Sequence, residues 1–396
     1  MHRPIRAAFI LLGLLAFLCA GMWLGGHPQH LPASIRGPFV DEQTAFVSEA
    51  IGVVQKRYYR KIPRRDLADS AIKGVVDNLH DRFSAYFSPR EYKKFQEIQD
   101  SRFSGVGISV IEDDLGLRVA EVFDKSPAKR AGIERGDIII AAGGTSLKGK
   151  TSNQSTALIR GRSGTSVKLR LRRSKTQTFT KEVMRATVTV PVVASRLKTA
   201  GGTKLGVVRL AQFSSGAHAE VYAALQRLQK KGAKGFVFDL RDNGGGLVNE
   251  AQLISSAFLA DGKIVTTRGR SVRERTLNAT GEPVVPKAPV VVLVNGATAS
   301  ASEIVAGALQ DRKRALVVGT KTFGKGVFQQ VLELSNGGAL DITAGQYFTP
   351  SGRNLGGKGV KTGAGIEPSV RAVDKPKTPR DDEALDVALR ELAKRT

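Results

Sequence analysis

The chain has 396 residues, of which 41% are hydrophobic and 24% charged, enough for two or three domains with an ordinary globular core. Lys and Arg number 61 against 36 Asp and Glu, a formal net charge of +25. Nucleic acid is the usual partner of so basic a chain, but no basic, aromatic-studded motif is present. The single cysteine, Cys19, excludes an intrachain disulfide and a thiolate metal cluster, and nothing in the chain calls for a metal or a cofactor.

Residues 7–26, AAFILLGLLAFLCAGMWLGG, form an uncharged apolar run of roughly twenty residues, long enough to span a bilayer. Arg3 and Arg6 precede it, so the positive flank stays inside and the rest of the chain is exported to the cell envelope, on the periplasmic or extracytoplasmic side. No small-x-small cleavage site follows the run, which favours an uncleaved anchor over a signal peptide. Leu18 before Cys19 argues against a lipoprotein. Residues 1–26 are therefore expected to be a membrane anchor or signal segment. Export also argues against nucleic acid. Basic clusters at Arg170, Arg172, Arg173 and Lys175 and at Arg268, Arg270, Arg273 and Arg275 suit anionic lipid or acidic cell-wall polymer. Solvated strand and helix faces are the plain alternative.

Residues 27–99 hold a linker with Pro28, Pro32 and Pro38, then two amphipathic helices separated by Pro63. Phe46, Ala50, Val53 and Val54 recur at helical spacing in the first, and Leu67, Ala71, Val75 and Leu79 in the second. Periodicity alone does not separate internal packing from homodimer formation.

From residue 100 to 186 the texture changes to short strands and glycine turns. FSGVGISVI opens a strand from a glycine loop, GLRVAEVF is a second strand, and SPAKRAGIERGDIIIAAGG a short helix, a turn and a third strand. TSNQSTALIRG is helical and GTSVKLRLRR an alternating strand. At each of these landmarks the module resembles a PDZ domain. The resemblance implies that backbone N–H groups of Gly105, Val106, Gly107 and Ile108 capture a carboxylate while a peptide tail adds as a strand beside Ile108 and Val110. Glycine is needed there because a side chain would block close backbone approach. A plain glycine turn is the structural alternative.

Residues 187–372 alternate strands and helices: LGVVRLAQF, AHAEVYAALQRLQKKG, GFVFDLRDNGGG, LVNEAQLISSAFL, APVVVLVN, SASEIVAGALQD, ALVVGT and GVFQQVLEL. Strands that are continuous apolar runs between helices indicate an α/β layered domain with a mostly parallel sheet. Residues 373–396 end in an amphipathic helix from Asp381 to Leu392.

Ser300 stands where the strand VVVLVN turns into a helix, with helix N-terminal amides unpaired beside it. An oxyanion formed there would be held by the Ala301 amide and one further donor. Ser300-x-x-Glu303 also fits a capping box, in which the serine only caps the helix, and Thr298 and Ser302 compete for either role. Lys325 lies between Gly324 and Gly326 in an apolar stretch. In a strand, residues 325, 327 and 329 share a face, so Gln329 is positioned to orient the amine. To act as a base the amine must drop well below its solution value of ~10.4, and desolvation acts in that direction. A solvated turn lysine is the default it competes with. The strand ending in DLRDNGGG (Asp239 to Gly246) offers Gly245 or Gly246 as the second oxyanion donor. A Ser300–His218–Asp239 triad is the histidine alternative, although His218 falls in a helix first turn that suits a surface role.

The run NGATASASEIVAGALQDRKRALVVGTKTFGKGVFQQ, with DLRDNGGG and a PDZ-like module upstream and YFTPSGR and GIEPSV downstream, resembles the carboxyl-terminal processing peptidases, or tail-specific proteases. The resemblance runs from about Phe46 to the C-terminal helix. By the family's motif Ser300 corresponds to the nucleophile, Lys325 to the general base and Gln329 to the residue that positions the lysine. It implies a crotonase-like (ClpP/crotonase) α/β catalytic domain with an inserted PDZ domain and N-terminal helices. It also implies cleavage of exported proteins or peptides near accessible C-termini, with the PDZ delivering the tail or gating the site. After Arg353 the chain departs from the family's longer polar-apolar pattern, and the GGKGVKTGAGIEP loop is extended, which bears on substrate preference. The expectation is thus a membrane-anchored serine endopeptidase with a Ser–Lys dyad. A non-catalytic PDZ scaffold is the rival; acyl-thioester chemistry on the same core is disfavoured because export removes it from coenzyme A.

Overall fold

The computed structural model describes residues 3–26, 42–357, 364–374 and 382–396, with side chains throughout except at 3–10, 22, 24–26 and 42. The proline linker therefore lies outside the described residues, as does the middle of the extended glycine-lysine loop. The chain divides into two compact units, Met1–Asp81 and Arg82–Thr396.

The first unit holds helices α1 (Arg3–Gly26), α2 (Glu42–Arg57) and α3 (Arg64–Asp77). Pro63 sits at the N-cap of α3, where a missing N–H costs nothing. Arg64 Nη2 donates to Ser48 Oγ at 3.1 Å, tying α3 to α2. Much of the apolar stripe read from periodicity faces outward, with Phe46 73%, Val53 54% and Val75 69% exposed. Among the described residues no helix is long and apolar enough to cross a membrane; the anchor expected over 7–26 falls partly on side chains outside the described set.

The second unit opens with β1 (Ala85–Phe87) and α4 (Pro89–Gln99). Ser88 starts α4 through a capping box with Glu91, its N–H reaching Glu91 Oε2 at 2.9 Å. A small β module follows: β2 (Arg102–Gly105), β3 (Ile108–Asp113), β4 (Gly116–Val122), α5 (Pro127–Arg130), β5 (Ile138–Ala142), β6 (Thr145–Ser146), α6 (Ser152–Ile159), β7 (Ser166–Arg172), β8 (Thr178–Met184) and β9 (Ala186–Thr189). Strands β3, β4, β5, β7 and β8 form one antiparallel sheet with β6 beside β5, and β2 pairs with β9 as a separate ribbon. Alternation builds its core: Val167, Leu169 and Leu171 of β7 point inward with Leu117, Val119 and Ile139, while Lys168 and Arg170 between them face solvent.

The larger domain contains β10 (Val193–Ala200), β11 (Thr203–Leu210), α7 (Ala217–Lys230), β12 (Gly235–Asp239), α8 (Val248–Ser256), β13 (Lys263–Arg268), β14 (Arg275–Asn278), β15 (Val290–Val294), α9 (Ala301–Asp311), β16 (Leu316–Gly319), β17 (Val327–Glu333), β18 (Ala339–Phe348), β19 (Val370–Arg371) and α10 (Glu383–Ala393). One sheet has the order β10-β11-β12-β15-β16-β19, parallel apart from the β10–β11 hairpin. β12 and β15 are buried at every residue, which is why they are continuous apolar runs. Phe236, Phe238, Val290 and Val292 face α7, α8 and α9. Val237, Val291 and Leu293 face α10 on the other side. This is the expected α/β layering. A second sheet, β1-β18-β13-β14 with β17 also on β18, joins the first core through Val265, Leu277 and Tyr347. Residues 85–99 thus belong with the larger domain's second sheet in space, although in sequence they precede the β module.

At the carboxyl end of β12, Arg241 is buried and donates to both oxygens of Asp239, to Asp374 and to both oxygens of Asp382, the N-cap of α10. Burial would push the Asp382 carboxyl up, but the Arg241 hydrogen bonds and charge outweigh it and hold it below the usual aspartate range. Its contribution to stability is complete above the ordinary aspartate value and is lost as pH falls through the lowered one. Arg241→Ala leaves Asp239 buried without its cation and is expected to lower the unfolding free energy by about 3–5 kcal/mol, measured by urea denaturation; a loss below about 1 kcal/mol would show the network to be dispensable.

Candidate active site

Two buried polar side chains build the turn that carries Ser300. Asn243, in the glycine loop after β12, accepts from Ala299 N–H at 3.0 Å and from Ser302 Oγ at 2.9 Å with its backbone oxygen, while its amide donates to Leu210 O at 2.9 Å. Glu303 lies in the first turn of α9, fully buried. Its Oε2 accepts from the backbone N–H of Ser300 and of Lys325, each at 2.9 Å. Its Oε1 accepts from Gly324 N–H at 2.7 Å and Thr322 Oγ1 at 2.5 Å. Burial pushes the Glu303 carboxyl above the usual range, and the four donors pull in the opposite direction. One carboxylate therefore clamps the Ser300 turn to the loop that carries Lys325.

Ser300 itself has φ 58 and ψ −119, far from the extended conformation of an ordinary N-cap. Such a backbone costs of order 1–3 kcal/mol and persists only when its surroundings over-determine it. The glutamate half of the capping box is present, but the serine backbone is not that of a simple cap. Thr298 and Ser302, the two competing hydroxyls, are fully buried. Thr298 Oγ1 donates to Leu240 O at 2.9 Å and Ser302 to Asn243 O, so both are structural ties.

Ser300, Lys325 and Gln329 line one cleft of about 510 Å³ together with Gly244, Gly245 and Gly246, Asp341 and Tyr347. Its apolar wall comes from Phe95 and Ile98 of α4, Leu247, Val248 and Val331. Lys325 Nζ donates to Gln329 Oε1 at 2.7 Å, and Gln329 Nε2 donates to Thr343 Oγ1 at 3.1 Å. Strand alternation predicts this pair, yet β17 begins only at Val327 and its register shifts between Phe328 and Gln329. The contact is made from a loop onto a bulged strand.

Gly245 has φ 100, and a side chain there would lie 2.8 Å from Ser300 Cβ and 2.9 Å from the Ala301 nitrogen, so only glycine leaves that amide uncovered. The Gly245 N–H is already donated to Asn243 Oδ1 at 2.9 Å. The N–H groups of Gly246 and Ala301 have no acceptor among the described residues. Gly105, Val106, Gly107 and Ile108 line a different hollow of about 410 Å³, closed by Phe103, Phe123, Thr156, Ile159 and Arg160. At Gly107, φ 82, an added Cβ would meet Ser126 Cβ at 2.3 Å. The histidine alternative does not assemble: His218 Nδ1 faces Glu250 Oε2 at 2.9 Å, and Asp239 belongs to Arg241.

Three participants escaped the sequence reading. The Tyr347 side chain is buried and lines the same cleft as Ser300; burial pushes its hydroxyl far above the usual phenol value, so it stays neutral. Glu303 fits, in sequence alone, only a helix cap. Phe83 lies with its ring centroid 4.9 Å from Lys325 Nζ. YFTPSGR was the one available signal for Tyr347; the other two roles depend on contacts across the fold.

Residues 204–369 match Peptidase family S41 and residues 104–184 match the PDZ domain. The chain is 36% identical over 316 residues to the carboxy-terminal processing protease CtpA of Bacillus subtilis, covering 80% of this chain and 67% of that protein. This chain belongs to the carboxyl-terminal processing proteases of family S41. It is 38% identical over 310 residues to the carboxyl-terminal-processing protease of a Picosynechococcus species, covering 77% of this chain and 74% of that one. The solved structure of a photosystem II D1 C-terminal processing protease shares 29% identity with it at a TM-score of 0.50, covering 89% of this chain and 97% of the other. It is accordingly a serine-type peptidase with a PDZ domain, and its substrates are proteins or peptides.

Glu303→Gln places an amide N–H against backbone donors. It is expected to cost at least about 2 kcal/mol of stability and to lower kcat about 100-fold by displacing the Ser300 turn, read by denaturation and steady-state kinetics on the same preparation. Kinetics equal to the wild type would remove the carboxylate from any positioning role.

Proposed function

We propose that this protease cuts exported proteins near their C-termini with Ser300 as nucleophile, Lys325 as general base and Gln329 as the residue that holds the lysine. The observation that carries this reading is the convergence of Ser300, Lys325 and Gln329 on one cleft beside open backbone amides. Neutral Lys325 takes the Ser300 proton as the hydroxyl attacks the scissile carbonyl. The Ala301 and Gly246 amides hold the oxyanion; Gly245, the other sequence candidate, supports the turn through Asn243. The ammonium then protonates the leaving amine; the neutral amine so regenerated takes a proton from water as it attacks the acyl-enzyme, and returns it to the Ser300 oxygen as the ester breaks. Gln329 holds the Lys325 amine, and the flexible lysine stem brings it onto Ser300 when substrate binds. Contacts of this kind commonly tighten only in the Michaelis complex.

In the same reading the layered domain over 187–372 is crotonase-like, with the PDZ domain of 100–186 inserted ahead of it. The Gly105–Ile108 loop takes the tail carboxylate and β3 offers its edge to the tail. The N-terminal segment anchors an envelope enzyme whose catalytic part is exported, and the basic surface meets anionic lipid or wall polymer. The α2–α3 stripes are available for a homodimer. The scaffold alternative is not favoured in a chain of this family that keeps both Ser300 and Lys325.

Ser300→Ala and Lys325→Ala are each expected to lower cleavage of a denatured substrate at least about 1000-fold, and Lys325→Arg should not rescue it because guanidinium does not give up its proton. Wild-type activity should rise with pH as the amine deprotonates; activity surviving in Lys325→Ala removes the dyad. Separately, amidating the C-terminus of a tail peptide should weaken its binding at least about tenfold, measured by fluorescence anisotropy, because a carboxylate–amide hydrogen bond is worth about 1.5–3 kcal/mol; equal binding of acid and amide would exclude carboxylate capture.

A further inference from the structure

Phe83 lies outside every motif that identifies the family, in the short segment between the N-terminal helices and the PDZ domain. Its place is nonetheless fixed against the catalytic wall. Ser84 Oγ accepts the Thr343 N–H at 3.0 Å, and Ala85 pairs with Asp341. Thr343 in turn accepts from Gln329 through Oγ1 at 3.1 Å. The half-buried ring then stands with its centroid 4.9 Å from Lys325 Nζ. The same ring receives the Arg82 guanidinium at 5.3 Å, and Arg82 also lies 5.5 Å from the centroid of Phe323.

We infer that Phe83 is a positioning residue for the peptidase reaction, its ring face holding the Lys325 ammonium that forms when Ser300 gives up its proton. The inference rests on the dyad reading above. An aromatic face attracts a cation through its quadrupole and is nearly indifferent to a neutral amine. The ring therefore stabilises Lys325 more after the proton has moved than before, which is the difference that accelerates the step. Gln329 supplies an acceptor from the strand side and Phe83 a π face from the segment just before β1, so these two groups reach the amine from separate parts of the chain. Among the described residues, the other charged or titratable groups set against it include Glu303, which accepts from the Lys325 backbone, Asp341 and the neutral Tyr347 in the same cleft, and Arg82 across the shared ring.

The test replaces Phe83 in the full-length chain with mono-, di- and trifluorophenylalanine, which keep ring shape while progressively cancelling the quadrupole. Phe83→Tyr and Phe83→Leu are measured alongside, with denatured casein as substrate. With fluorination log kcat should fall steadily, by about 3- to 30-fold at the end of the series. The acid limb of the pH–rate profile should move to lower pH by about half a unit to one and a half units, because a less stabilised ammonium loses its proton sooner. Phe83→Tyr should stay near wild type and Phe83→Leu should behave like the most fluorinated ring. A flat series, or equal losses in all variants with the acid limb unmoved, would overturn the inference and leave Phe83 as apolar wall. Retention of activity in Lys325→Ala would overturn the dyad itself, an outcome distinct from a flat fluorine series in an enzyme that still requires the lysine.

Discussion

Buried, and without a cationic partner among the described residues, the Glu303 carboxylate accepts from Ser300, Lys325, Gly324 and Thr322, and the site depends on those four bonds. Only an ionised carboxylate has enough acceptor capacity and no donor to interfere. Burying such a charge is costly, and the helix N-terminus of α9 helps to offset that cost. The consequence is geometric. A positive-φ serine and a lysine loop 25 residues later cannot move independently, because the same two oxygens hold both backbones.

Asn243 plays the matching part on the opposite side of the Ser300 turn. It ties the end of β11, the glycine loop and Ala299 together, so the Ser300 turn is gripped by a carboxylate on one flank and an amide on the other. This division explains why the glycine run is three residues long. Gly245 must be bare to leave the Ala301 amide open, and its own N–H serves Asn243. Gly246 remains with an uncommitted amide at the cleft wall.

The cleft is assembled from chain stretches that are far apart in sequence. Phe83 to Gln99 comes before the PDZ domain, the glycine loop and α8 after it, and Lys325 to Tyr347 later still. The PDZ groove begins only a few residues beyond the cleft: Ile98 and Gln99 line the cleft, and Phe103 and Gly105 line the groove. Between them, the Gln99 carbonyl accepts from Ser215 at 3.0 Å and the Ser101 carbonyl from Val190 at 2.8 Å. The groove and the cleft therefore share one short, well-anchored stretch of backbone.

Local patterning in the sequence determined the layered α/β domain, the PDZ module, the strand-to-helix turn at Ser300 and the candidate pair Lys325–Gln329. Each of these is a matter of period, glycine placement or near neighbours, and chain-local rules govern them. Tertiary pairing decided the rest. The antiparallel register of β18 against β1 and β17 brings Phe83, Thr343 and Tyr347 to the lysine and the serine from positions no periodicity connects. The sequence offers Glu303 as a helix cap and Gly245 as an oxyanion donor, since both are good local solutions. Packing gave each a second partner, because a buried polar group must satisfy every donor and acceptor that the folded neighbours present to it.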